Sequence, residues 1–127
     1  MIKLVIIGSG GAAGAICRYL TALAVQRWSD STFPFGTLSV NLIGCFLIGF
    51  LGCLFSSAVP IREEYRFAIL VGFLGGFTTF SSFGLETFHL LNEGQRWAAL
   101  GNIVVSNTLG LLLVWLGFRL AERIYGG

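Results

Sequence analysis

Four long apolar stretches fill almost the whole of this 127-residue chain, at about residues 2–25, 36–55, 67–91 and 97–120. Each is long enough to cross a hydrocarbon core that takes about 20 residues of helix. Between them lie three short connections, too short for a soluble domain. Composition agrees: 55% of residues are hydrophobic and 11% charged, against about a quarter charged in ordinary soluble domains. The chain is therefore expected to be an all-α integral membrane protein, one four-helix transmembrane domain over residues 1–127. A net charge of +2 in so apolar a chain gives no reason to expect a nucleic-acid partner.

The third stretch is written for more than spanning. Gly72 to Glu86 contains four glycines, four phenylalanines, four hydroxyl residues and a carboxylate. Gly75 and Gly76 are adjacent, and two residues without Cβ make a helix easiest to unwind there. The pair predicts a break near Gly75-Gly76, or else a flexed helix whose glycines admit a neighbour, with Phe73, Phe77 and Phe80 as packing stripe. An unwound turn at bilayer depth frees backbone groups that protein, water or an ion must satisfy. Thr78, Thr79, Ser81 and Ser82 follow at once as partners. Where helix resumes, Phe80 and Phe83 share a face, and Thr79, Ser82 and Glu86 form a neighbouring stripe. A ring edge is electropositive, so two edges along one path attract an anion without a formal charge. That suits an anion in transit, which must not be held tightly.

In the first stretch, Gly8, Gly10 and Ala13 after an apolar run imitate a dinucleotide-binding fingerprint. No alternating strand and helix pattern follows, and Asp30 stands in a polar turn. Gly10 and Gly14 read better as a close helix-packing face. Arg18, costly in an apolar span, either snorkels to the interface or stands as a cation at a vestibule. In the second stretch Thr37 and Asn41 share a face, and the Asn41 amide serves either a neighbouring helix or a passing anion. In the fourth, Ser106, Asn107 and Thr108 cannot all share one face, so at least one meets another helix or subunit. Glu86 and His89 lack the companions of an enzyme or metal site. Cys17, Cys45 and Cys53 have no metal-ligand spacing and read as small buried hydrophobes. Trp28, Tyr65, Trp97 and Tyr125 fall near span ends, where interfacial aromatics belong, whereas Trp115 is expected inside the bundle. No export-and-cleavage pattern is evident in the first run. Lys3, Arg62, Arg66, Arg119 and Arg123 fall on one side and Arg27 and Arg96 on the other, a weak bias that leaves both orientations open.

Three segments carry a resemblance to a known family: Gly14-Ala15-Ile16-Cys17-Arg18-Tyr19, Gly36-Thr37-Leu38-Ser39-Val40-Asn41 and, most specifically, Gly75-Gly76-Phe77-Thr78-Thr79-Phe80-Ser81-Ser82-Phe83. Along its whole length the chain resembles the small fluoride channels called Fluc or CrcB. The resemblance implies a dual-topology antiparallel homodimer in the bacterial plasma (inner) membrane, with two fluoride pathways between subunits. It implies a central structural Na+ ion held by the backbone carbonyls of Gly75 and Thr78. Phe80 and Phe83 would present ring edges to fluoride, Asn41 would donate to it, and Ser81, Ser82 and Ser106 would extend the polar track. Arg18, Thr37, Thr79 and Glu86 are the candidate vestibule or structural residues. Gly110 departs from the family pattern, which has a hydroxyl there. The implied activity is passive export of fluoride, which enters acidic cells as HF and is trapped by ionisation, and no enzyme activity is expected. The alternative is a small multidrug-type transporter, a fold of similar size that relies on an acid in its first helix, where this chain has Arg18.

Overall fold

The computed structural model describes residues 1–126, apart from the Ala58 side chain. The first span is α1 (Ile2–Ser29). The second is α2 (Phe35–Cys53), which runs on through a π-helical turn, Leu54–Ala58. The third comprises α3 (Glu63–Phe67), a π-helical stretch Ala68–Phe73, α4 (Leu74–Phe77) and α5 (Phe80–Asn92). The fourth is α6 (Arg96–Tyr125).

Four helical runs are long and apolar enough to cross a membrane, Ile2–Ser29, Phe35–Ser57, Glu63–Asn92 and Arg96–Tyr125. They extend past the apolar stretches because helix continues into polar residues at the interfaces, such as Gln26 and Arg27 in α1 and Glu63 to Arg66 in α3. Between α1 and α2, a single side chain organises the turn. Gln26 Nε2 donates to the Ser31 and Phe33 carbonyls, and its Oε1 accepts from the Gly36 amide at 3.0 Å. At the opposite end of α1, Lys3 lies 3.6 Å from the Glu63 carboxylate and stacks over the Phe67 ring.

The helices approach one another through glycine. α1 packs against the third span and α2 against α6. A Cβ on Gly14 would collide with the Phe73 carbonyl and one on Gly10 with that of Ala68, so the expected small-residue face of α1 is its contact with the third span. Between α2 and α6, Gly49 meets the Val114 backbone and Gly117 that of Phe46 in the same way. Close backbone approach maximises dispersion contact where lipid removes any hydrophobic drive for association. The buried stripe of α6 is Ala99, Asn102, Gly110, Gly117 and Ala121. Trp115 lies off that stripe and is 54% exposed, which corrects its expected place inside the bundle: the close α2 contact leaves no room for an indole. Trp28 and Trp97 are exposed at helix ends, as expected.

Gly14→Val forces a branched side chain into the Phe73 backbone and is expected to cost about 1–3 kcal/mol from overpacking, offset by little helix propensity. Gly8, whose Cβ would meet open space, is the control: Gly8→Ala should hold or raise the melting temperature. The check is thermal unfolding of both purified variants in detergent.

Candidate ion pathway

Thr78 and Thr79 separate α4 from α5, and both are extended, with φ and ψ of −93° and 158° at Thr78 and −152° and 113° at Thr79. Gly75 and Gly76 themselves lie in α4. They face different ways. A Cβ on Gly76 would strike the Gly11 carbonyl of α1, whereas one on Gly75 would meet nothing within 4 Å.

Two extended residues at this depth leave polar groups to satisfy, and Asn41 of α2 takes both groups of Thr79. Its Nδ2 donates to the Thr79 carbonyl at 3.0 Å and its Oδ1 accepts from the Thr79 amide at 2.7 Å. The amide thus stands in for a strand partner. The helix–helix role open to Asn41 is realised, and one Nδ2 hydrogen remains beyond the one used by Thr79. Thr79 also caps α5, its Oγ1 accepting from the Ser82 amide at 3.1 Å. Ser81 Oγ lies 3.3 Å from the same hydroxyl.

These bonds redirect two amides. In an uninterrupted helix the Thr79 N–H would reach the Gly75 carbonyl and the Ser82 N–H the Thr78 carbonyl. Instead they bond to Asn41 and to the Thr79 side chain. The carbonyls of Gly75 and Thr78 therefore lose their usual donors, and both residues border the same groove.

That groove, of about 390 Å³, is lined by Asn41, Cys45, Phe80, Phe83, Ser106 and Asn107 among others. Phe80, one of the lining residues, is 81% exposed. The Phe80 and Phe83 rings stand 5.5 Å apart at an angle of 50°. A second concavity, of about 360 Å³, gathers Arg18, Thr37, Ser82 and Glu86. Thr37 Oγ1 donates to Glu86 Oε1 at 2.7 Å, tying α2 to α5. Among the described residues Glu86 Oε2 is shielded without a partner, so Thr37 is the contact that orients the carboxyl. Among the described residues Thr79 is the one common to both linings. The predicted residues thus divide between this concavity and the groove, and the two meet at Thr79. Ser81 borders neither and is exposed beside it.

Three residues of the site, Gln26, Thr87 and Asn102, were missed in the sequence reading. Gln26 lines the second concavity while holding the turn before α2. Thr87 and Asn102 form a buried polar link between α5 and α6, with Asn102 Nδ2 donating to Thr87 Oγ1 at 2.9 Å. The available signal was spacing, since Thr87 lies four residues after Phe83 and Asn102 four before Ser106, each on the face of a candidate. Of the polar trio in α6, Ser106 and Asn107 border the groove, and Thr108 is exposed. At Gly110 a Cβ would sit 3.3 Å from Cys45 Sγ, so the thiol occupies the space beside the missing hydroxyl. All three cysteines are free.

Residues 5–118 match the family described as CrcB-like protein, Camphor Resistance (CrcB). The chain belongs to this family. It is 49% identical to the "Fluoride-specific ion channel FluC" of Salinibacter ruber over 100% of this chain and 95% of that protein. The proteins of the same name from Solibacter usitatus and Citrifermentans bemidjiense are 43% and 44% identical, over 96% and 98% of this chain and 100% of each relative. With four membrane-length helices and these relatives, the chain is a multi-pass membrane protein of a channel family rather than an enzyme.

Asn41→Leu keeps the size but strands the amide and carbonyl of Thr79, at about 1–3 kcal/mol for each buried group left unpaired. The variant should melt well below wild type and lose ion flux together with its fold, by thermal unfolding and vesicle efflux on one preparation.

Proposed function

We propose that this protein is a fluoride-specific channel that lets fluoride leave the cytoplasm down its gradient, protecting the cell from fluoride accumulation. The observation that carries the reading is the arrangement at Thr79, where a concavity holding Arg18 meets a groove lined by Phe80, Phe83 and neutral polar groups. The names of the full-length relatives support the same activity. They leave nothing in favour of a multidrug-type transporter, whose acid the first helix lacks.

In this reading Arg18 draws the anion to the mouth, and Thr37, Ser82 and Glu86 shape it. Thr79 and Ser81 pass it to the groove, where Phe80 and Phe83 offer their positive edges. Asn41 contributes its remaining Nδ2 hydrogen, and Ser106 a hydroxyl. The amino end of α5 adds partial positive charge at the junction. Neutral donors and ring edges replace part of fluoride's hydration shell without trapping it.

The third span works as a broken helix, and a second, antiparallel copy of the chain closes the groove, giving two pathways per homodimer. Supporting the dimer, Phe80, Asn107 and Thr108 are exposed at spanning depth, where polar side chains facing lipid are costly. The single domain then covers residues 1–127, and dual topology in the bacterial inner membrane follows from antiparallel pairing with a weak charge bias.

The Gly75 and Thr78 carbonyls, relieved of their helix donors, fit a hard cation held by oxygen. Among the described residues no group of three His, Cys, Asp or Glu side chains gathers as a metal site. A Na+ ion there, shared with the two-fold mates, would supply a fixed positive charge that holds the four carbonyls together.

The test is fluoride efflux from liposomes containing the purified protein, followed with a fluoride electrode and repeated with chloride inside. Fluoride should leave rapidly and chloride should not. Phe80→Ile and Phe83→Ile should each abolish efflux while leaving an assembled dimer by gel filtration. Wild-type rates in both variants would remove the ring edges from the mechanism, and no efflux from folded wild-type protein would remove the channel.

A further inference from the structure

Asn102 is 2% exposed, among the largest fully buried side chains, two turns into an apolar helix. Its amide is the centre of a three-bond chain. Thr87 Oγ1 donates to the Phe83 carbonyl at 2.7 Å, Asn102 Nδ2 donates to Thr87 Oγ1 at 2.9 Å, and Ser106 Oγ donates to Asn102 Oδ1 at 3.3 Å. Thr87 is itself buried, at 7%. The two ends of this chain, Phe83 and Ser106, both border the groove. A buried amide must be bonded on both sides to be tolerated in hydrocarbon. The close glycine contacts of α6, at Gly110 and Gly117, are with α2, so association with that helix does not call for an asparagine here.

In this order of bonds the Ser106 hydrogen points at Asn102, and the groove meets only the lone pairs of Ser106. Lone pairs repel an anion. A half-turn of the amide about Cβ–Cγ exchanges its donor and acceptor. Thr87 then donates to Asn102 Oδ1 instead of the Phe83 carbonyl, and Asn102 Nδ2 donates to Ser106 Oγ. The Ser106 hydrogen is released toward the groove. With an anion at Ser106 both orders contain three hydrogen bonds, whereas without one the turned order has two. The bonds within each order also polarise one another in the same direction along the chain.

We infer that Asn102 is a positioning residue, an amide relay that decides whether Ser106 shows the groove a lone pair or a hydrogen, and that the passing anion selects the hydrogen. This rests on the reading of Ser106 as part of the fluoride pathway. Asn102 touches no ion. It acts through Ser106, supporting the hydroxyl oxygen when its hydrogen is turned outward. Removing it leaves the Ser106 hydrogen to the backbone carbonyl four residues back, the usual resting place of a serine in a helix.

The experiment is fluoride efflux per folded protein from phosphatidylethanolamine and phosphatidylglycerol liposomes loaded with potassium fluoride. It compares wild type, Asn102→Leu, Ser106→Ala, their combination, and Thr87→Val. Loss of one hydrogen bond to a charged species should slow Asn102→Leu by about tenfold. The double variant should stay within about twofold of Ser106→Ala, because coupled residues do not add. Thr87→Val removes two bonds from the resting order and one from the turned order, so its efflux should equal or exceed that of wild type. A network that merely packs α5 on α6 predicts the opposite: slowing in Thr87→Val like that in Asn102→Leu, and full additivity with Ser106→Ala. Either result overturns the relay, and Thr87→Val decides alone should Asn102→Leu not assemble. Wild-type efflux from Ser106→Ala would remove Ser106, and the relay with it, from a channel that still conducts. Absence of efflux from wild type would instead be the failure of the channel reading.

Discussion

Hydrocarbon offers no hydrogen bonds, so an extended residue inside a spanning segment stands only where side chains replace the helix ladder. Asn41 does this for Thr79, returning one acceptor and one donor to a peptide unit that has lost both. The other pieces follow from that exchange. The Thr79 side chain is left to cap α5, the axis of α5 is freed from that of α4, and Phe80 and Phe83 are turned toward the groove. Thr78 is held separately, its amide and hydroxyl both donating to the Leu74 carbonyl. The satisfied groups lie toward α2. The carbonyls deprived of their donors, at Gly75 and Thr78, border the open side.

Glycine decides which side is open. At Gly14 on Phe73, Gly76 on Gly11 and Gly49 on Val114, the helices meet backbone to backbone. Such contacts leave no space for side chains between the spans. The larger and the more polar groups are displaced to the face where α2, the third span and α6 do not close on one another, and that face carries the groove. Gly75 and Gly76 show the division at neighbouring positions, one facing the groove and one against α1. A side chain at Gly76 would move α1, whereas at Gly75 it would fill the groove.

Much of this was legible in the chain. Four apolar runs, a glycine face at Gly10 and Gly14, and the stripe of Thr79, Ser82 and Glu86 all follow from helical spacing, and the structure places each as spacing requires. The extended residues were harder to place. Two glycines favour unwinding locally, but Gly76 is held by its contact with α1, and Asn41 provides replacement bonds at Thr79. That preference depends on a residue far away in the sequence. Asn102 escaped for the same reason: a single amide in an apolar helix acquires meaning only once the rotation of α6 against α5 brings it to Thr87. Trp115 misled because its distance from the interface suggested burial, whereas the glycine contacts of α6 exclude it.

In the proposed pathway, the placement of charge would let one path both attract and release an ion. Among the described residues the cation lining the site, Arg18, belongs to the second concavity, and the groove is lined by neutral side chains. A cationic side chain meeting fluoride in the groove would bind it strongly in low dielectric and slow its exit, unlike the proposed Na+ ion, whose charge would already be engaged by carbonyl oxygens. In that proposal, partial charges at ring edges, an amide hydrogen and a helix end would spread the same attraction over several weak contacts. Under the proposed relay, Ser106 would add a donor that is withdrawn once the ion has passed, since its hydrogen then has a partner in Asn102. Because the Ser106 hydrogen exchanges one partner for the other, the ion gains only the difference between the two bonds, a shallow well from which it can leave.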